Sequence, residues 1–518
     1  MKLESFVNNS WVAGAAQGRP LVNPTTGAVL ATADASGIDV AAGMEHARTV
    51  GGAALRSMSF AERGALLRAI ADTLSANRDA YEEIARQNSG NTKVDASIDI
   101  DGGIGTLKYY SGLARKLGDA HLIAEPGQDQ LARDPVFFAR HFITSRPGLA
   151  VQINAFNFPS WGLWEKIAVA TLAGVPSFAK PATATALLSY RMVKDVIEAG
   201  NVPDGVLSLV CGGGEALLDG VGPMDSIAFT GSAATGAMIR GHENIQRSGV
   251  RLNIEADSVN ATIIGPEVQP GTPLFDLAVK EASKALSVKA GQLCTNIRRI
   301  LVAKENTDEF AQAVAARVQK LAVGDPENPD TRVGPLINQA QQADAKKKMD
   351  ALSSETRVVA TAPMPQDAAD GSAFVAPTLL LCDDPDAGRF VHDTEVFGPC
   401  ATLMPYDNPE QAASLAARAQ GSLALSLFSD DRNVQSTMLN SLGAWHGRIL
   451  MVDETVGKNH TGHSIVMPQC VHGGPGRAGD GEELGGLRGL RLHMQRTAVQ
   501  GSPGNLENLA GDACELAL

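Results

Sequence analysis

Short apolar runs alternate with amphipathic segments from about residue 147 onward, and this alternation is the main indication of the fold. Apolar runs that end at turn-forming residues predict strands, whereas apolar residues at helical spacing predict helices. The predicted strands are residues 151–153, 177–180, 206–210 and 226–229, and the predicted helices are residues 163–172 and 184–199. Because strand and helix alternate, this part of the chain predicts a parallel sheet with helices on its faces.

The alternation resumes after residue 294 and predicts a second α/β domain. The strands expected there are residues 299–303, 401–404 and 423–428, and the helices are residues 308–321 and 338–352. Residues 136–144 and 490–500 also favour strands but belong to neither series, so we expect a small extra sheet that makes subunit contacts. The domains expected from this division are residues 1–125 with 147–253, residues 254–480, and residues 126–146 with 481–518.

Composition narrows the classes of function. A net charge of −13 over 518 residues disfavours nucleic acid as a partner, because such binding neutralises phosphates with Lys and Arg. The chain lacks an apolar run of about 20 residues and an N-terminal signal core, so we expect a cytoplasmic protein without membrane contact. The six cysteines follow neither a disulfide framework nor a metal-binding spacing, so we expect free thiols and no bound metal.

One cysteine stands in a distinctive frame, Gly291-Gln292-Leu293-Cys294, between an apolar helical pattern and a predicted strand. An isolated cysteine in an enzyme is usually a small buried apolar residue. A nucleophilic role for Cys294 requires partners, namely an oxyanion donor, a base and a cause for the thiol to ionise.

Two polar residues are candidates for those partners. Asn157 lies on the loop after a predicted parallel strand, where ligands of open α/β sheets bind, although a turn asparagine would look the same. Glu255 lies at a strand end on the face opposite Leu252 and Ile254, where it is either a water-activating base or a surface glutamate.

Two glycine-rich turns each follow a strand and precede a helix, at residues 211–215 and 230–236. Backbone N–H groups at such turns bind phosphate, but strand-ending turns without a ligand are equally common in a chain with 53 glycines.

Together these residues resemble the aldehyde dehydrogenase superfamily, and the resemblance runs from Asn8 almost to the C-terminus. The motifs that carry it, in order, are Phe156-Asn157-Phe158-Pro159 with Lys166, Phe178-Ala179-Lys180-Pro181, Phe229-Thr230-Gly231-Ser232 with Gly236, Gly291-Gln292-Leu293-Cys294, and Glu395-Val396-Phe397-Gly398-Pro399. The resemblance implies an α/β fold with a Rossmann-type cofactor domain, an α/β catalytic domain and a small β oligomerisation segment. It also implies a homodimer or homotetramer.

The resemblance further implies roles for the site residues. The Cys294 thiolate would attack an aldehyde carbonyl, Asn157 and the Cys294 N–H would bind the oxyanion, and Glu255 would activate water against the thioester. Lys166 would complete the catalytic set. The residues implied to bind the nicotinamide cofactor are Lys180, Thr183, Phe229, Thr230, Gly231, Ser232, Gly236, Glu395 and Phe397.

The chain departs from most relatives at the base. Their glutamate opens a Glu-Leu-Gly-Gly-Lys segment, whereas this chain has Asn253-Ile254-Glu255-Ala256-Asp257. Aligned on Ser258 and Asn260, the usual position holds Asn253, and Glu255 lies two residues later. Since a shift of two keeps the same side of a strand, we assign the base to Glu255.

A second departure is the loop at residues 468–477, which replaces the common Pro-Phe-Gly-Gly pattern. With residues 482–487 and 494–501 it resembles a subgroup that oxidises CoA-linked semialdehydes in aromatic-acid breakdown. The expected substrate is 3,4-dehydroadipyl-CoA semialdehyde of benzoate degradation; the alternatives are a semialdehyde of phenylacetyl-CoA degradation or a general aldehyde. The chain's end at Leu518 favours the stand-alone enzyme over relatives fused to a hydratase.

One position bears on the choice of cofactor. NAD-preferring relatives often carry a glutamate three residues after the ribose-binding lysine, where this chain has Thr183 after Lys180. Without that carboxylate a 2′-phosphate can bind, so we expect NADP to be preferred over NAD. The alternative is that Thr183 only caps the following helix.

Three other functions are compatible with parts of the pattern. A cofactor-independent thioesterase would use Cys294 and Glu255 but not the cofactor motifs. A CoA-acylating dehydrogenase would not need the water-activating glutamate. A non-catalytic member of the fold would not need Cys294, Asn157 and Glu255 together.

Overall fold

The computed structural model describes residues 1–517, apart from the side chain of Glu215. The strands, in chain order, are β1 (Lys2–Val7), β2 (Ser10–Ala13), β3 (Arg19–Val22), β4 (Val29–Ala33), β5 (Ile123–Ala124), β6 (Asp129–Gln130), β7 (Phe138–Ser145), β8 (Ala150–Ile153), β9 (Ser177–Lys180), β10 (Leu207–Leu209), β11 (Ser226–Thr230), β12 (Arg251–Glu255), β13 (Ala261–Ile264), β14 (Arg299–Ala303), β15 (Arg357–Thr361), β16 (Thr378–Leu381), β17 (Cys400–Tyr406), β18 (Ser422–Phe428), β19 (His446–Val452), β20 (Val471–Gly474), β21 (Gly481–Leu484), β22 (Met494–Gly501) and β23 (Cys514–Glu515). The α-helices are α1 (Val40–His46), α2 (Gly52–Ser57), α3 (Phe60–Ala76), α4 (Arg78–Ser89), α5 (Lys93–Leu117), α6 (Trp161–Leu172), α7 (Ala186–Glu198), α8 (Glu215–Asp219), α9 (Ala233–Gly241), α10 (Glu243–Ser248), α11 (Pro273–Lys284), α12 (Thr307–Val318), α13 (Gln339–Leu352), α14 (Phe390–Asp393), α15 (Pro409–Ala417), α16 (Arg432–Leu442) and α17 (Pro503–Gly511).

The first sheet has nine strands in the order β12-β11-β8-β9-β10-β1-β4-β3, with β2 paired to β1. The five strands from β12 to β10 pair in parallel. The chain moves outward from β8 to β10 in one direction and from β11 to β12 in the other, so the order reverses between β8 and β11. Ligands of open α/β sheets bind at such a reversal, outside the carboxyl ends of the strands.

The N-terminal region completes this unit. Helices α3 and α5 begin with capping boxes, Ser59 with Glu62 and Thr92 with Asp95, in which each side chain binds the other's backbone N–H. Both helices contribute apolar residues to the same large core as α6 and α7. We predicted no elements here, because the strands are short and partly exposed and do not alternate regularly with the helices.

The second sheet has seven strands in the order β15-β16-β17-β14-β13-β18-β19. Its strands pair in parallel except for β15, which is antiparallel to β16. Strand β18 is buried along its whole length, as expected for a parallel strand covered on both faces. The strands predicted at residues 299–303, 401–404 and 423–428 all lie in this sheet.

The two surplus strands pair with each other in a third sheet, β22-β7-β5-β23, with β6 also paired to β7. Strand β22 begins at Met494 rather than near residue 490, because residues 486–492 form a 3-10 helix. Three expected domain boundaries differ from the sheets. Residues 123–124 belong to the third sheet, strand β12 extends across residue 253, and the hairpin of β20 and β21 extends across residue 480. Within residues 1–517, every helix is too short or too polar to cross a lipid bilayer.

Candidate active site

The four predicted catalytic residues, Cys294, Glu255, Asn157 and Lys166, line one cavity. Each comes from a different segment: the loop before β14, the end of β12, the loop after β8, and α6. The other lining residues are Ala155, Phe158, Trp161, Gly162, Glu165, Thr230, Thr295, Ser464, Val466 and His472. The cavity therefore joins a polar end, around the cysteine, to an apolar wall that includes two aromatic residues.

Cys294 follows a tight turn in an unusual backbone conformation. Lys289, Ala290 and Gly291 have φ values of 47°, 49° and 70°, in the left-handed region. A Cβ on Gly291 would lie 2.1 Å from the carbonyl oxygen of Gly398, so only glycine fits there. Left-handed conformations of non-glycine residues cost about 1 kcal/mol or more each, and the surrounding contacts must hold the turn in place.

Helix α5 supplies those contacts. The backbone N–H of Lys289 donates to Asp95 at 2.7 Å, and its buried ammonium donates to Asn91 at 3.3 Å. Asp99, one turn along α5, accepts the N–H groups of Ser160 and Trp161 at the start of α6. Asp95 and Asp99 thus tie the cysteine turn and the loop that carries Asn157 to one helix.

The donors expected for an oxyanion lie beside the cysteine. The Asn157 Nδ2 donates to the carbonyl of Gln292 at 3.0 Å, which leaves its second hydrogen available. The backbone N–H of Cys294 donates to no acceptor within residues 1–517. The Cys294 carbonyl accepts from Asn260 Nδ2 at 2.8 Å, so the backbone of the cysteine is fixed in position.

Glu255 lies in a buried ion pair with His472. The Glu255 Oε2 lies 2.9 Å from His472 Nε2, and both side chains are buried. Burial alone would raise the pKa of Glu255, but the charge and hydrogen bond of His472 outweigh it and hold that pKa at about 2. Burial alone would lower the pKa of His472, but Glu255 outweighs it and raises that pKa to about 9. At neutral pH the pair is therefore a carboxylate and an imidazolium.

The pKa of the Cys294 thiol is shifted upward, in the opposite direction to that of Glu255. Burial, and then the negative charge of Glu255, raise the pKa of this thiol well above its usual value. In the form described here the cysteine is thus a neutral thiol. Its proton must leave when the sulfur attacks, and the Glu255 carboxylate is the neighbouring acceptor.

Lys166 lies in a second buried cluster on the same wall. Its ammonium is 2.9 Å from Glu483 and 3.4 Å from Glu165, and Asn253 donates to the other Glu483 oxygen at 2.8 Å. Burial opposes the charge of Lys166, but the carboxylates outweigh it and keep its pKa above the usual value. Burial raises the pKa of Glu165 to about 7. The group can therefore bind or release a proton near neutral pH.

The residues predicted to bind the ribose lie at the ends of neighbouring strands. Lys180 is the last residue of β9, and its side chain lies beside Gly214, close enough to contact a Cβ at that position. The hydroxyl of Thr183 donates to the carbonyl of Gly212 at 3.3 Å. Helix α7 begins at Ala186 without a side-chain cap from Thr185, so Thr183 does not cap this helix.

The turn after β11 holds five predicted residues: Phe229, Thr230, Gly231, Ser232 and Gly236. The Phe229 ring is buried in the core beneath both glycines, so it shapes the turn and its ring is not available to a ligand. Ser232 caps α9 by accepting the N–H of Thr235. The Thr230 Oγ1 is buried and has no hydrogen-bond partner among the described residues.

One contact at this turn opposes the predicted phosphate site. The Ala233 N–H at the start of α9 donates to the Asp257 carboxylate at 2.9 Å. That carboxylate occupies a donor which a phosphate would otherwise use.

Glu395 and Phe397 surround a buried arginine. The Glu395 Oε2 accepts the Ser258 N–H at 3.2 Å, and Oε1 lies 3.7 Å from Arg298 without a hydrogen bond. Burial raises the pKa of Glu395 to about 7, and Arg298 opposes that rise. The Phe397 ring packs edge-on against Phe156 at 5.5 Å. Glu395 Oε1 and Thr230 Oγ1 are buried oxygens without a hydrogen bond among the described residues, so they fit a ligand that offers hydroxyl or amide donors.

Three residues of the site were not assigned from the sequence: His472, Glu483 and Glu165. His472 and Glu483 face each other across the hairpin of β20 and β21. Residues 468–477 stand out in the sequence as a departure from the family pattern, but nothing in the local pattern links them to β12. The two-residue displacement of Glu255 from the usual position could have indicated such a contact, because a base at a new position along the strand needs a different partner.

Three comparisons place the chain among known proteins. The profile of the aldehyde dehydrogenase family matches residues 11–485. The chain is 50% identical over 480 residues to 3,4-dehydroadipyl-CoA semialdehyde dehydrogenase of Aromatoleum evansii, covering 92% of this chain and 93% of that protein. It is 28% identical to 2-hydroxymuconic semialdehyde dehydrogenase of Pseudomonas sp. (strain CF600), covering 83% and 87%. The crystal structure of betaine aldehyde dehydrogenase from Staphylococcus aureus in complex with NAD+ superposes with a TM-score of 0.83 at 25% identity, covering 96% and 94%.

Proposed function

Because the chain belongs to the aldehyde dehydrogenase family, we propose that it oxidises a CoA-linked semialdehyde to the carboxylic acid, with NADP as its preferred cofactor. The observation that carries the proposal is the approach of Cys294, Glu255 and His472, whose reactive atoms lie within 4.8 Å of one another in the cavity that Asn157 also lines. The 50% identity supports the substrate class, and 3,4-dehydroadipyl-CoA semialdehyde of benzoate degradation is the substrate we favour.

In the first step the Cys294 sulfur attacks the aldehyde carbon and its proton passes to Glu255. The oxygen of the resulting thiohemiacetal would accept the free hydrogen of the Asn157 amide and the Cys294 N–H. Two donors in a water-poor cavity stabilise a developing oxyanion strongly, and the loss of one typically costs a factor of about 100 or more in rate.

The nicotinamide cofactor, when bound, supplies the electron acceptor for the oxidation that leaves a thioester on Cys294. Glu255 passes the thiol proton onward, and the restored carboxylate then removes a proton from water, which attacks the thioester and releases the acid from the Cys294 sulfur. The imidazolium of His472 keeps Glu255 ionised and in place. Glu165 and Lys166 lie on the same wall, and we assign them the onward passage of the released proton, since Glu165 has a pKa of about 7.

The cofactor would lie along the carboxyl ends of β9 and β11. Lys180 would bind the ribose and a 2′-phosphate, and the neutral Thr183 would leave room for that phosphate. Glu395, whose Oε1 makes no hydrogen bond among the described residues, would accept one from a hydroxyl of the nicotinamide ribose. For a phosphate to bind at this turn, the Asp257 carboxylate must release or share the hydrogen bond that it accepts from the Ala233 N–H.

The lining of the cavity suits the acyl arm of the substrate. Phe158, Trp161 and Val466 line it beside Cys294 and would contact that arm. The nucleotide part of CoA would remain outside. The semialdehyde of phenylacetyl-CoA breakdown remains the second candidate substrate.

The third sheet supports a homo-oligomer. Strand β22 lies at its edge, and its residues are mostly exposed. Nearby Leu131, Val136 and Phe137 are also exposed. An open strand edge beside apolar side chains is typical of a subunit interface. A division into a cofactor domain, a catalytic domain and an oligomerisation segment, and a cytoplasmic location, complete the proposal; six free thiols are typical of a reducing compartment.

A coupled assay of NADP and NAD reduction over free and CoA-linked aldehydes tests the function. We expect the highest kcat/KM with the CoA-linked semialdehyde and NADP, and no turnover in Cys294→Ala. Glu255→Gln should accumulate a thioester on Cys294, detected by intact mass spectrometry. A preference for free short aldehydes would reject the substrate class, and unchanged turnover in Glu255→Gln would reject its role in hydrolysis.

A further inference from the structure

We propose that Cys294, Glu255 and His472 form a binding site for a zinc ion, and that zinc bound there reversibly blocks the cavity. The three side chains offer a sulfur, a carboxylate oxygen and an imidazole nitrogen, all within 4.8 Å of one another. They belong to the loop before β14, the end of β12 and the start of β20. Because they are far apart in sequence, no ligand spacing revealed this group.

An unpartnered oxygen is the second observation. Glu255 is 2% exposed, and its Oε1 has no hydrogen-bond partner within the described residues, whereas Oε2 contacts His472. A buried carboxylate oxygen without a donor is costly unless a ligand fills the position. A cation between Oε1 and the Cys294 sulfur would satisfy it.

The donor set selects zinc among common cations. Zinc takes Cys, His and carboxylate ligands at about 2.0 to 2.3 Å, which places ligand atoms about 3.3 to 3.7 Å apart in a tetrahedron. The longest separation, at most 4.8 Å, would have to close by about 1 Å, which requires the Cys294 side chain to turn toward the other two ligands. Magnesium and calcium require six or more oxygen ligands, which this group does not offer.

Backbone contacts hold two of the three ligand residues, His472 and Glu255, nearly in place. His472 pairs with Glu483 across the β20–β21 hairpin, and the backbone carbonyl of Glu255 accepts a hydrogen bond from the Gly231 N–H at 3.1 Å. Three protein ligands leave the fourth zinc position open to the cavity and to a water molecule. On binding, the thiol proton and any proton on His472 Nε2 pass to solvent, so no oxidant or reductant is needed.

The consequence for activity rests on the proposed function, since zinc on Cys294 removes the sulfur that would attack the aldehyde. The metal site itself does not depend on that function. Metal binding and enzyme activity must therefore be measured separately on the full-length protein.

Binding is tested by titrating zinc against a chromophoric chelator, with the metal content checked by mass spectrometry. We expect a single zinc ion per chain, and affinity lowered by about tenfold or more in each of Cys294→Ser, Glu255→Gln and His472→Gln. Cys470→Ser is the matched control, because Cys470 is an exposed thiol two residues from His472, and its affinity should stay within about twofold.

Cobalt gives a direct view of the sulfur. Co²⁺ in this site should show a near-ultraviolet thiolate charge-transfer band that Cys294→Ser lacks and Cys470→Ser keeps. No such band, or equal zinc affinity in Cys294→Ser and the unaltered protein, would overturn the site.

Inhibition is then measured with the NAD(P) assay. Zinc should abolish turnover and a chelator should restore it. Zinc binding that depends on all three side chains in a protein that never oxidises aldehydes would leave the metal site standing and reject the proposed function. Zinc bound through the three residues without inhibition of an active enzyme would reject the blocking role.

Discussion

Replacing His472 with glutamine removes the charge that faces Glu255 but keeps a donor near the same position, because the contact is made through Nε2. The pair moves the pKa of Glu255 from a usual 4.5 to about 2, and that of His472 from 6.5 to about 9. Each change corresponds to about 3 kcal/mol, and both describe the same interaction. Breaking a buried pair typically costs about 3 to 5 kcal/mol, so we expect a loss of about 3 kcal/mol in the free energy of unfolding.

That loss should depend on pH in a defined direction. The raised pKa of His472 stabilises the fold fully below pH 6.5, and this contribution is lost as the pH rises through about 9. The lowered pKa of Glu255 stabilises the fold above pH 4.5, and this contribution is lost as the pH falls through about 2. The difference between the two proteins should therefore be largest between pH 4.5 and 6.5 and should shrink toward pH 9.

The catalytic effect is measured on the acyl-enzyme. We would acylate Cys294 with an activated ester and follow its hydrolysis by intact mass spectrometry from about pH 5 to about pH 9. Without the imidazolium, burial raises the pKa of Glu255. As the pH falls, the carboxylate is therefore protonated at a higher pH than in the unaltered enzyme. The rate in His472→Gln relative to the unaltered enzyme should fall by up to about tenfold per pH unit below the new pKa and recover above it.

The control is His446→Gln, which removes another buried histidine. Burial lowers the pKa of His446 to about 4, so its charge plays no part near neutral pH. A hydrolysis profile in His472→Gln with the same pH dependence as the unaltered enzyme would refute the claim that His472 keeps Glu255 ionised. A uniform loss at every pH would indicate only a structural role.

Three further predictions concern other parts of the molecule. Gly291→Ala should lower the free energy of unfolding by about 2 kcal/mol or more and abolish turnover. The control Gly105→Ala, at a position on α5 with open space around it, should be neutral or stabilising. Equal thermal unfolding of the two variants would contradict this prediction. Thr183→Glu should lower the NADP to NAD ratio of kcat/KM by about tenfold or more, and Thr183→Gln should not; equal ratios in both variants would reject the role of charge. Phe137→Asp should reduce the mass measured by light scattering, whereas Val358→Asp, at another exposed apolar position, should not; an unchanged mass in Phe137→Asp would exclude this surface from the interface.

Much of the fold followed from local patterns. The strands at residues 177–180 and 299–303 were found at their observed limits, because short apolar runs between turns have few other structures. The N-terminal helices were not found, although α5 carries the two aspartates that hold the cysteine turn. Their role depends on long-range contacts, Lys289 to Asp95 and Ser160 to Asp99, which leave no periodic signal.

The amino-acid order alone identified the nucleophile candidate, its amide partner, a displaced carboxylate and the family, because each lies in a short motif at a strand end. It could not identify His472 as the partner of Glu255 or place Glu483 against Lys166. Those contacts arise only when the hairpin of β20 and β21 packs against β12 and α6, which brings together residues more than 200 positions apart. Local residue order specifies which element forms, but packing of distant elements decides which charges meet and hence which protonation states the site adopts.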